Sequence, residues 1–394
     1  MVKAYLRYEH RLCFGVVAST SARSAKIVEG SQERGETAVA PGLEGINLWH
    51  LRKGVLLKRL VSSSQADNGG ASSEGVVTSL CRIDGKNQVA AGHSNGTLNV
   101  WDLSGGTCEA SFSGHKTAVS CLSYSAERNV LASGGRDSDV VLWDLVGETG
   151  LFRLKGHRNE VTAIVFLEDH DALVSASKDA CIRVWSLESQ HCTQVVTMHR
   201  GEVWSMDLSP DGRCLVTGSV DEQLLCFKVK TTEELDHEEG ESKSQVLEHS
   251  GTIIRRSQSK IQHVQFEKTE SRNHRYFGVL GVGKVFELYR MLTPKEAAKK
   301  AKRKLKRKRE KMAQQQQQSG GNGDAPAIEG GAEHTLADQL NLETTISLKH
   351  KIKSFFFTCS RSGKPRIVLA LATNSIEVHE INPKEEEEDQ QGAG

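Results

Sequence analysis

From residue 114 onward the chain repeats one arrangement of apolar and polar positions. A His is followed by an alternating apolar run, a polar turn and a second run that ends in small residues. A turn holding Asp then leads into a third run that carries an aromatic residue. The three copies are GHKTAVSCLSYSAERNVLASGGRDSDVVLWDL at 114–145, GHRNEVTAIVFLEDHDALVSASKDACIRVWSL at 156–187 and MHRGEVWSMDLSPDGRCLVTGSVDEQLLCFKV at 198–229. Short runs of period two bounded by turn residues read as β-strands, so each copy predicts a small antiparallel sheet.

The copies keep a beat of 42 residues. Trp101, Trp143 and Trp185 lie 42 apart and Phe227 falls on the next beat; His115, His157 and His199 keep the interval, as do Ser133, Ser175 and Thr217, and Asp137, Asp179 and Asp221. That period, with Gly-His near the start and Trp-Asp near the end, marks blades of a WD40 β-propeller. A second blade, at 77–103, has the Trp but Ser73 on the His beat and Asn95 on the Asp beat. Weaker copies end in INLWHL (46–51) or run over 261–291 and 351–381, which brings the count to seven, a number that closes a ring. The predicted fold is therefore all-β, a seven-bladed WD40 propeller with a basic helical and low-complexity insertion before the last blade. The boundaries predicted are 1–291 for blades one to six, with a polar insertion at 230–260; 292–343 for the basic insertion; 344–383 for the last blade; and 384–394 for an acidic tail. The last blade lacks an outer strand of its own, and CFGVVAS at 13–19 is expected to supply it.

Charge changes this picture in one place. The chain carries 51 Lys/Arg and 50 Asp/Glu, yet residues 295–311 hold eleven Lys/Arg against Glu296 and Glu310, which leaves 40 basic and 48 acidic residues elsewhere. A mildly acidic body with one intensely basic segment points to a polyanion or an import receptor as that segment's partner. Nine scattered cysteines without a Cys-x-x-Cys pair fit reduced thiols of a nuclear or cytosolic protein. No run approaches the 18 apolar residues of a membrane span, so no membrane partner is expected.

The repeated polar residues are expected to form hydrogen-bonded tetrads: His115–Ser133–Asp137–Trp143 and His157–Ser175–Asp179–Trp185. In the fifth blade His199, Thr217 and Asp221 keep the polar part, while Phe227 has no N–H to donate. A His–Ser–Asp set invites comparison with a hydrolase, but a catalytic triad does not recur three times at one spacing. GVGK at 281–284 lacks the spacing of a phosphate loop. No catalytic residue, cofactor, metal or small-molecule substrate is therefore expected.

In the basic insertion, Thr293 is placed to cap a helix with Pro294 at its first position. Lys299, Lys300, Lys302, Arg303, Lys304, Lys306, Arg307, Lys308 and Arg309 are candidates for an import signal or for RNA-phosphate contact, and a plainly solvated helix is the third reading. Arg136 and Lys178, each before a turn Asp, and Arg158 and Arg200, each after a blade His, are candidate partner-surface cations.

Several stretches are more specific than the repeat. YLRY (5–8), LWHLRKG (48–54), GLFRLKGHRNEVT (150–162), HRGEVW (199–204), VFELYRMLTPKEAAKKAKRK (285–304) and IKSFFF (352–357) resemble, in that order, the N-terminal half of the nucleolar WD repeat-containing protein three family. The resemblance implies a non-catalytic scaffold of the small-subunit processome. It would act in pre-18S ribosomal RNA processing and 40S ribosome biogenesis with the box C/D small nucleolar ribonucleoprotein. Implied partners are other WD-repeat processome subunits, pre-ribosomal RNA and box C/D small nucleolar RNA, and an import receptor; the implied location is the nucleus and nucleolus. The family also has a second propeller and a C-terminal helical domain, whereas this sequence reaches EEEEDQQGAG after one propeller and is expected to be a fragment or a short form. The alternative function is a generic WD40 adaptor for a ubiquitin-ligase or signalling complex.

Overall fold

The structure is a computed structural model that describes residues 8–15, 28–29, 37–42, 45–61, 75–83, 85–236, 245–267, 275–293, 296–297, 299–300, 303, 339–359, 365–373 and 375–381. These residues form seven four-stranded antiparallel sheets. Blade four shows the plan: Val161–Leu167, Ala172–Ser177, Ile182–Ser186 and Cys192–Val196 pair in sequence order, from the innermost strand outward. The innermost strands of successive blades touch one another all the way round, so the ring is closed.

The alternation in the sequence is explained by what lies on each side of a blade. The buried apolar residues fall into seven clusters, each shared by two adjacent blades. In blade three, Leu131 joins the cluster with blade two and the next residue, Ala132, joins the cluster with blade four. Both faces of the middle strands are thus buried, which is why the second strands read as small and apolar rather than half polar. The aromatic beat always packs toward the preceding blade: Trp101 against blade one, Trp143 against two, Trp185 against three, Phe227 against four and Tyr289 against five.

Ring closure comes from the N-terminus. Strand Tyr8–Gly15 pairs with Ser375–Ile381, Tyr8 opposite Ile381 and Gly15 opposite Ser375. The closing strand begins five residues before the expected 13–19, because the edge it covers is long enough to pair back to Tyr8.

Both insertions lie inside blades. In blade five the polar excursion contains a short helix, Thr232–Asp236, and then returns as the outer strand Leu247–Ile254, paired with Gln223–Val229. In blade six the outer strand is Leu340–Ser347, paired with Val285–Met291. The basic segment therefore interrupts blade six, and the last blade begins with Ile352–Cys359 rather than at 344. Outer strands escaped the sequence pattern because one face meets water, and LNLETTIS reads as polar. The excursion leaves and returns at one point, where the Leu292 amide donates to the Gln339 carbonyl at 2.7 Å.

Candidate interaction surface

The connections between the fourth strand of one blade and the first of the next share a face with the turns between second and third strands. The repeated polar residues fasten these loops together. In blade four, Trp185 Nε1 donates to Ser175 Oγ at 2.8 Å, Ser175 Oγ lies 2.7 Å from His157 Nε2, and His157 Nδ1 lies 2.9 Å from Asp179 Oδ2. Only one proton arrangement satisfies the chain: the hydroxyl donates to Nε2 and a neutral imidazole donates from Nδ1 to the carboxylate. Burial lowers the His157 pKa, partly offset by the hydrogen bond and charge of Asp179. Burial also pushes the Asp179 carboxyl upward. The Arg158 amide, the His157 hydrogen bond and the Cys181 amide outweigh it and hold that pKa below the ordinary carboxylate value. Blade three repeats the geometry: Trp143 Nε1 to Ser133 Oγ at 2.8 Å, Ser133 Oγ to His115 Nε2 at 2.7 Å, and His115 Nδ1 to Asp137 Oδ1 at 3.0 Å. In both blades the serine hydroxyl is held between a Trp and a His.

Blade five departs from this plan. His199 Nε2 lies 2.9 Å from Thr217 Oγ1, but Asp221 pairs with Ser219 Oγ at 3.2 Å instead. With only the distant charge of Asp221 to counter burial, His199 is pushed down to about 4. Blade six replaces the tetrad with ionised groups that the sequence reading missed. Arg255 Nε donates to Glu287 Oε2 at 2.9 Å, both side chains fully buried, and Tyr289 OH donates to the same oxygen at 3.1 Å.

The four candidate surface cations separate into two pairs. Arg158 and Arg200 are exposed. Arg136 and Lys178 are both engaged by Glu160, at 3.5 Å from Arg136 Nε and in a direct salt bridge with Lys178. Lys178 also lies 4.7 Å from the centre of the Trp204 ring, and Lys260 lies 3.7 Å from it. Glu202 completes the group, accepting from Trp204 Nε1 at 3.1 Å and pairing with Lys260 at 3.5 Å. Sequence reasoning passed over Trp204, although it stands on a beat of its own with Thr78, Ser120 and Thr162.

On the opposite face, the described start of the basic segment docks on blade six. Thr293 and Glu296 form a reciprocal capping box, the Thr293 amide reaching Glu296 Oε2 at 2.9 Å and the Glu296 amide reaching Thr293 Oγ1 at 3.4 Å. Ala297 is buried, and Lys300 Nζ donates to the Leu340 carbonyl at 3.4 Å. Lys299 and Arg303 are helical and exposed, whereas Lys302, Lys304, Lys306, Arg307, Lys308 and Arg309 lie outside the described residues.

Comparison with known proteins agrees with the repeat register and the ring. Residues 36–229, from the second strand of blade one to the third strand of blade five, match the family described as the WDR3 first beta-propeller domain. This propeller is similar to the first propeller of the WDR3 family. Among curated relatives, U3 small nucleolar RNA-associated protein 12 of Saccharomyces cerevisiae is 30% identical over 132 residues, which is 32% of this chain and 14% of that protein. WD repeat-containing protein 3 homolog of Dictyostelium discoideum is 30% identical over 119 residues, 30% of this chain and 11% of that protein. The matched part is a small fraction of each relative. A chain in the crystal structure of the mitotic checkpoint complex superposes with a TM-score of 0.66, covering 97% of this chain and 95% of that one, at 13% identity. At that identity the likeness concerns the propeller fold alone. All three His-bearing repeats, 114–145, 156–187 and 198–229, lie inside the matched stretch, and the basic segment lies beyond it.

Proposed function

We propose that this chain is a non-catalytic scaffold of the small-subunit processome, acting in pre-18S ribosomal RNA processing and 40S biogenesis in the nucleolus. The observation that carries this reading is the family match over 36–229, joined by relatives named for WD repeat-containing protein 3 and for association with U3 small nucleolar RNA. A scaffold role is supported by the chemistry of the repeats, whose His, Ser and Asp groups are spent on one another as structural fastenings. In this reading the ring holds sister WD-repeat subunits and box C/D small nucleolar RNA together, directly or through them. The basic run at 295–311 serves nuclear import, RNA-phosphate contact or both.

The test is recovery of RNA with the tagged chain from nuclear extract at moderate salt. A parallel variant lacks 295–311 and carries a foreign import signal. Enrichment of pre-ribosomal leader and box C/D guide RNA is expected with the intact chain. Its persistence in the deletion assigns the run to import, and its loss assigns the run to RNA or assembly contact. No enrichment with either variant overturns the scaffold reading and favours a generic adaptor. Arg158 and Arg200, exposed on the loop face, are assigned to partner contact; reversing both to Glu should leave folding intact and lower partner recovery, and unchanged recovery removes them from the interface.

A further inference from the structure

In six blades the second residue of the innermost strand is skipped by the pairing with its neighbour strand: Thr78, Ser120, Thr162, Trp204, Gln262 and Lys353. Such a bulge re-aims its side chain away from the ladder. In blades two to four the residue is a short hydroxyl that folds back. Thr78 Oγ1 reaches the Gly92 and Val119 carbonyls, Ser120 Oγ those of Gly134 and Val161, and Thr162 Oγ1 those of Ala176 and Val203. Each hydroxyl ties its own blade to the next, and that arc of the ring mouth is sealed.

Blades five to seven place something different at the same register: an indole, an amide and an ammonium. The Trp204 ring is half-buried, fixed at its edge by Glu202 and attended by Lys260 and Lys178. Gln262 Nε2 donates to the Lys353 carbonyl at 3.3 Å, while its Oε1 is buried and has no hydrogen bond among the described residues. Acceptors in that condition are costly unless an incoming group satisfies them.

We propose that this arc binds a nucleotide of single-stranded RNA. The base stacks on Trp204, an exocyclic amino group donates to Gln262 Oε1, and adjoining phosphates meet Lys353 and take Lys178 and Lys260 from their present carboxylate and ring contacts. An aromatic platform set in cations is how single strands are held. An acidic peptide would satisfy the lysines and leave the ring face and the Gln262 oxygen unmet. The surrounding loops supply the field, with Lys116, Lys155, Arg158, Arg200, Arg256 and Lys284 exposed on the same face. The opposite face carries Asp102, Asp144, Glu168, Asp169, Asp171 and Asp211 in its turns, beside the described start of the basic segment with Lys299 and Arg303. The inference deepens the scaffold reading, on which the choice of RNA rests, by naming the residues of the ring that touch the strand.

The experiment is binding of the purified chain to labelled oligoadenylate and oligouridylate, followed by fluorescence anisotropy at several salt concentrations. Trp204→Ala should weaken oligoadenylate binding about tenfold, and Trp204→Phe should retain most of it. Gln262→Leu should abolish the preference for adenylate, whose base carries an amino group, over uridylate, whose base does not. The dependence on Trp204 should survive deletion of 295–311. Equal affinity for wild type and Trp204→Ala overturns the proposal, as does a polyglutamate peptide that binds with the Trp204 dependence while RNA does not. Because the assay uses purified components, its failure leaves the processome reading standing, and success here with no processome RNA in extract removes that reading alone.

Discussion

Asp179 accepts hydrogen bonds from the backbone of two loops as well as facing His157: the Arg158 amide at 3.0 Å, and the Cys181 amide at 3.0 Å. Its removal leaves donors buried without partners, so Asp179→Ala should destabilise the fold by about 1–3 kcal/mol. Thermal unfolding of the variant checks this; an unchanged Tm would sink the structural role of the group. His199 makes a pH-dependent contribution of opposite origin. Burial depresses its folded-state pKa from 6.5 to about 4, so the unfolded chain takes up a proton that the folded one refuses. The stabilisation is fully present above pH 6.5 and is lost as pH falls from there toward 4, with a magnitude on the order of 3 kcal/mol. Urea unfolding between pH 7 and 4 should show that limb in the wild type and a flatter one in His199→Gln.

At the scale of a blade, one cross-strand pair behaves as a rule. The residue two before the aromatic beat faces the hydroxyl position of the second strand, giving Ser133–Val141, Ser175–Arg183 and Thr217–Leu225. Where the second strand holds Ala40, Ala91, Val279 or Leu369, the third strand supplies Asn47, Asn99, Glu287 or Glu377. The polar anchor has moved across the ladder rather than disappeared. In blade two Asn99 duly reaches His93, which in turn lies 2.8 Å from the Gly75 carbonyl. In blade six the anchor is half of an ion pair, and a buried charge left alone is far more costly than the pair. Arg255→Met should therefore cost about 3–5 kcal/mol, and the double change with Glu287→Leu should recover most of it, measured by denaturant unfolding. A single-mutant loss below about 1 kcal/mol would refute a dry pair.

This migration explains what could be read from the sequence. Blades three to five were legible because His, Ser or Thr, Asp and the aromatic residue all sit on one beat. Blades one, two, six and seven were faint because the same task passes to a different strand, where Glu287 looks like any strand glutamate. Outer strands such as Leu247–Ile254 were invisible because their water-facing side carries no apolar signal. Trp204 was hidden for another reason: its beat lies outside the tetrad and its partners, Lys178 and Lys260, come from different blades.

For the whole molecule, stability is a chain of seven interfaces with no single centre. Each cluster joins two neighbours, so opening one seam exposes two apolar faces at once. The seam most open to experiment is the last blade, whose outer edge is covered by Tyr8–Gly15. Removing residues 1–15 should bare the edge of Ser375–Ile381, lower Tm by at least about 5 °C and promote edge-to-edge association visible by light scattering. A truncated chain that stays monomeric at the wild-type Tm would mean that closure does not depend on this strand.

The hydrogen bond between Leu292 and Gln339 has a consequence for how the protein tolerates change. The two ends of the chain between those residues are pinned together by the blade itself, so the length of the connection is nearly free: for a flexible connection each doubling costs only about 0.6 kcal/mol of closure entropy. Blade six is therefore a port. Material can be lengthened, shortened or exchanged there over generations, or by the experimenter who splices a fluorescent domain into the glutamine run, while the seven-fold ring registers almost none of it.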